Sequence, residues 1–64
     1  MSDRAKRVLY TLNTFCDVEG YSHPFEAIHD FVMNINSFKT NEDYKSLTVE
    51  EEKQIIKAFL KIKG

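Results

Sequence analysis

The sequence is poor in the residues that build cross-links, metal sites and phosphate loops. It has one cysteine, Cys16, which excludes an internal disulfide and a zinc site built from several thiolates. Its only glycines are Gly20 and Gly64, too few for a glycine-rich phosphate loop. No apolar run approaches the roughly 18 residues of a membrane-spanning helix, and the N-terminus lacks the apolar core of a signal peptide. We therefore expect no membrane partner and a reducing, cytoplasmic setting.

The length and composition predict one small globular domain over residues 1–64. Hydrophobic residues make up 42% of the chain and charged residues 30%, a balance typical of folded rather than disordered proteins. A chain of this size buries only about 60% of the surface that its unfolded form exposes. Because such burial gives marginal stability, docking on a larger partner or on a second copy is an expected source of further burial.

The net charge of −1 hides an uneven distribution along the chain. Residues 1–16 carry a net charge of +2, residues 17–52 a net charge of −7, and residues 53–64 a net charge of +4. Only the two ends are basic, whereas a dedicated DNA-binding domain usually has a clear overall basic excess.

The clearest element is a helix from Thr48 to Ile62. Thr48 and Glu51 have the spacing of a capping box, in which each side chain bonds the other residue's amide. The apolar residues of this segment recur at helical spacing and predict one buried stripe. That stripe consists of Ile55, Ile56, Phe59, Leu60 and Ile62. Glu52 projects towards the upper end of the stripe, where we expect its carboxylate to stay hydrated.

Two further helices are predicted before it. Ser2 can cap a first helix that runs to about Val18, and Gly20 provides the left-handed residue that often ends a helix. Pro24 then suits the first turn of a second helix, with Ser22 or His23 as its cap. The apolar stripe of the first helix is Ala5, Val8, Leu9, Leu12, Phe15 and Cys16. That of the second is Phe25, Ile28, Phe31, Val32 and Ile35, with Ala27 at its edge.

A polar connector of residues 36–47 precedes the last helix. Thr40 and Asp43 repeat the capping-box spacing, so the segment Asn41–Ser46 can form a short helix. The expected fold is therefore all-α, a small three-helix bundle with a short fourth helix in the connector.

No arrangement of residues indicates catalysis or a cofactor. His23, Glu26, His29 and Asp30 form the only cluster of metal-ligand types, and their spacing matches neither an EF-hand nor an HExxH motif. A chain of this size also has little room for the pocket that a small-molecule substrate needs. We expect no enzyme activity, no metal, no cofactor and no small-molecule substrate.

Elimination and size favour a non-catalytic protein-binding module. It would dock on a larger protein, or on itself as a homodimer, and act as a regulator, inhibitor or adaptor; many phage and mobile-element accessory factors have this profile. The candidate contact residues are Arg7, Tyr10, Met33, Glu26 and Asp30. Tyr10 falls opposite the apolar stripe of its helix, and Tyr and Arg are enriched at protein interfaces.

Nucleic-acid binding is the alternative. Lys53, Lys57 and Lys61 lie four residues apart on one helix and can follow a phosphate backbone, with Arg4 as an addition. Against it, the connector before the last helix is far longer than the turn of a helix-turn-helix motif. A solvated lysine ridge that keeps the helix soluble also explains the pattern.

Overall fold

The computed structural model describes residues 1–63, and this part of the chain is helical without a strand. Its four α-helices are α1 (Asp3–Glu19), α2 (Pro24–Met33), α3 (Asn41–Ser46) and α4 (Val49–Lys63), with a 3₁₀ turn at Ile35–Ser37 between α2 and α3. The prediction of an all-α fold with three main helices and a short fourth one is confirmed. None of the helices over residues 1–63 combines the length and the apolar character needed to cross a bilayer.

Local capping signals set the ends of α1 and α4 as predicted. The Ser2 hydroxyl accepts a hydrogen bond from the amide of Ala5, and Gly20 ends α1 with a left-handed φ of 73°. At the start of α4, the Thr48 hydroxyl accepts from the Glu51 amide at 3.1 Å, and the Glu51 carboxylate accepts from the Thr48 amide at 2.8 Å. The capping box is therefore formed in both directions.

The predicted capping box at the start of α3 is wrong, although the helix itself forms. Thr40 makes no side-chain cap bond. Its hydroxyl instead donates to the hydroxyl of Thr11 on α1 at 3.1 Å, and Asp43 pairs with Arg7. Thr40 and Asp43 therefore bond residues of α1 and do not cap α3.

The core lies where α1 contacts α2, α3 and α4. Its buried members are Ala5, Val8, Leu12, Cys16, Ala27, Phe31, Ile35, Ile55 and Phe59. Aromatic rings of the connector extend this core, since Phe38 stacks on Phe31 with ring centroids 5.1 Å apart and Tyr44 meets Phe31 edge-on. The connector is thus packed against the bundle.

Parts of two predicted stripes do not enter the core. Phe25 is 87% exposed, and Ala27, placed at the stripe's edge by the sequence, is fully buried instead. On α4, Ile56, Leu60 and Ile62 are 44%, 41% and 55% exposed. The bundle is thin, measuring 27 × 25 × 15 Å. The apolar stripes of α2 and α4 are more than one side chain wide, so the neighbouring elements cover only part of each stripe.

Helices α1 and α4 run in the same direction. Arg4 and Glu51 join their N-terminal ends, and Asp17 and Lys63 form an ion pair at their C-terminal ends. Since α4 begins beside the start of α1, the segment between α2 and α4 has to bring the chain to that end of the bundle.

The connector makes that return along α1. Phe38 packs edge-on against Phe15, Thr40 bonds Thr11, and Asp43 pairs with Arg7 one helical turn further back. The contacts on α1 move towards its N-terminus as the connector advances. In this arrangement α2 and α4 both pack against α1, with few contacts between them.

Candidate functional site

Arg4 belongs to a polar cluster that joins α1 to α4. Its guanidinium donates to both carboxylate oxygens of Glu51, at 2.8 to 3.1 Å, and the Ser2 hydroxyl donates to the same carboxylate. Glu51 is only 9% exposed. The hydrogen bonds from Arg4, then Ser2, then the Thr48 amide hold the pKa of Glu51 well below its usual range. Arg4, a candidate for nucleic-acid contact, is therefore already paired with a carboxylate within the fold.

Arg7 is also engaged within the chain. Its guanidinium donates two hydrogen bonds to the carboxylate of Asp43, at 2.7 and 2.9 Å. These bonds lower the pKa of Asp43 and raise that of Arg7. The pair is partly exposed, so it lies on the surface beside α3 as a neutralised unit.

The candidates on α2 separate into two environments. Asp30 accepts a hydrogen bond from the Tyr21 hydroxyl, which raises the pKa of that tyrosine to about 12. Glu26 is exposed, and Met33 is 71% exposed. Glu26 and Met33 are thus available for contact, whereas Asp30 holds the loop after α1 against α2.

Tyr10 is exposed on the outer side of α1, as predicted from its position opposite the stripe. It is 74% exposed, as is the neighbouring Val18 at 75%. Both border a wide, open depression of about 280 Å³ whose floor includes Phe15 and Phe38. This surface offers apolar contact but little depth to hold an inserted side chain.

A narrower apolar surface lies between α2 and α4, and we call it the α2–α4 face. An apolar groove of about 90 Å³ separates the two helices. Ile28 and Val32 of α2 form one wall, and Glu52 and Ile56 of α4 form the other. The remaining lining residues are Val8, Leu12, Phe31, Tyr44, Leu47 and Ile55. Both helices pack against α1, which contributes Val8 and Leu12 to the groove, and they make few contacts with each other.

Exposed apolar side chains extend this face beyond the groove. Phe25 precedes Val32 by seven residues, which places it on the same side of α2. Leu60 follows Ile56 by four residues and continues the α4 wall. With Val32 at 38% exposure, the four side chains form one apolar strip across the face.

The groove is too small for a typical small-molecule site. Its volume is below the roughly 150 Å³ of an apolar cavity that holds benzene and the 300–1,000 Å³ of typical ligand pockets. It does have the size and the apolar lining to receive one inserted side chain of another protein. Over residues 1–63, no group of three or more His, Cys, Asp or Glu side chains is arranged to hold a metal ion.

Charged residues border the α2–α4 face on both sides. Lys53 and Lys57 lie beyond Leu60 around α4, and both are exposed. Glu26 lies on the far side of α2, beyond Phe25 and His29. Lys53, Lys57 and Lys61 form no salt bridge within the described part of the chain. The α4 side of the face therefore carries Lys53 and Lys57 next to Glu52, and the α2 side carries Glu26.

Sequence reasoning did not identify the residues of this face as a contact surface. Helical spacing predicts buried stripes that include Phe25, Val32, Ile56 and Leu60. The spacing does not reveal how much of a wide stripe a neighbouring element covers. One available signal was Ala27: a small residue beside large ones on a helix often marks the position of closest packing. Comparison with protein-family models, curated proteins and solved structures finds no match to this chain.

Proposed function

We propose that this chain is a small, non-catalytic protein-binding module that docks on a larger protein through its α2–α4 face. In that role it would act as a regulator, inhibitor or adaptor, as accessory factors of phages and mobile elements often do, and its expected setting is the cytoplasm. The observation that carries the proposal is the juxtaposition of an apolar groove with an 87% exposed phenylalanine on one face.

The energetics support a docking role for this face. Burying a fully exposed Phe or Leu side chain contributes about 1.5–3 kcal/mol. Phe25 is nearly fully exposed, while Val32, Ile56 and Leu60 each retain part of their area for contact. Binding energy in protein interfaces concentrates in such apolar anchors near the centre of the patch. The remaining candidates, Glu26 and Met33, lie at the border of the face, where charged and flexible groups affect orientation and encounter rate.

The experiment compares what the wild-type chain and single variants retain from the cell that produces it. Ile56→Glu places a charge in the groove wall, and Phe25→Ser removes the exposed ring; both positions are exposed enough to change without emptying the core. Tyr10→Ser tests the rival contact residue predicted on the outer side of α1, and it removes an exposed ring outside the α2–α4 face for comparison with Phe25→Ser. We expect a specific partner that binds wild type and Tyr10→Ser but loses both face variants, as identified by mass spectrometry. A partner retained equally by all four proteins would refute docking through this face.

Nucleic-acid binding is the second candidate, favoured by the exposed lysines of α4. Lys53, Lys57 and Lys61 can approach phosphates without first breaking an ion pair in the described structure. It is the weaker candidate because Arg4 and Arg7 are already paired with carboxylates. Retention of the wild type on DNA, with a steep salt dependence that is abolished by replacing all three lysines with glutamate, would favour it over protein docking.

A further inference from the structure

We draw no further inference here: the strongest candidate, the apolar groove between α2 and α4 with the exposed Phe25 beside it, carries nothing beyond the docking surface already described, because nothing in the structure shows what covers it.

Discussion

Phe59 and Phe25 are both phenylalanines in apolar stripes, yet their replacement by alanine should change stability by very different amounts. Phe59 is completely buried, and Phe25 is 87% exposed. Truncating a buried phenylalanine destabilises a protein by about 3–5 kcal/mol, because contacts are lost and a cavity remains. A 64-residue chain has a total stability of only about 3–10 kcal/mol. Phe59→Ala should therefore remove a third or more of the folding free energy, whereas Phe25→Ala should change it by about 0.5 kcal/mol or less.

Urea unfolding followed by far-UV circular dichroism measures both effects. For a domain of this size the free energy falls by about 1 kcal/mol per molar urea, so Phe59→Ala should lower the midpoint by about 3 M or unfold the chain outright. Phe59→Leu, which keeps more of the buried volume, should give a smaller loss that remains measurable if the alanine variant does not fold. The comparison is made at a low protein concentration, because any self-association through exposed apolar side chains would add to apparent stability.

Equal midpoints for Phe59→Ala and Phe25→Ala would contradict the burial of Phe59 and the exposure of Phe25. A large loss of stability in Phe25→Ala that persists on dilution would contradict them as well. Either result would mean that α2 or α4 packs with a different face towards α1, and the α2–α4 face would then not be the exposed surface of the chain.

Two further predictions concern the helix ends. Because hydrogen bonds lower the pKa of Glu51 from 4.5, its carboxylate stabilises the fold fully above that pH and less as the pH falls. Between about pH 7 and pH 3, the urea midpoint should therefore drop less in Glu51→Gln than in wild type or in the control Glu50→Gln. Equal drops in all three proteins would contradict this prediction. Gly20 has a φ of 73° with no neighbour within 4 Å of an added Cβ, so Gly20→Ala introduces only backbone strain of about 1 kcal/mol. Its melting temperature should fall by about 4–8 °C, and that of Gly20→Asn by less; an unchanged value for alanine would contradict the assignment.

The open groove of the α2–α4 face follows from the path of the connector, residues 36–47. The chain returns to the start of α1 through α3, and the ion pairs at both ends of α1 and α4 keep these helices parallel. With α3 and α4 both packed on α1, the Ile28–Val32 side of α2 makes few contacts with α4. The open groove is thus a consequence of topology, which explains why its walls carry residues of ordinary core type.

The sequence by itself determined the helices and their ends. Capping side chains at Ser2 and Thr48, the left-handed Gly20 and the apolar spacing act over four or five residues, so they can be read without knowing any tertiary contact. The exposed position of Tyr10 followed from the same spacing, since it lies opposite the stripe of α1.

Only the tertiary structure decided which apolar and charged residues remain available for contact. Arg4, Arg7 and Asp30 looked free in the sequence, but their partners Glu51, Asp43 and Tyr21 lie between 9 and 47 residues away. Phe25 and Ile56 looked buried, but a helix in a thin bundle covers only the part of its stripe that faces a neighbour. Periodicity gives the direction in which a side chain points, and only packing determines whether another element lies in that direction.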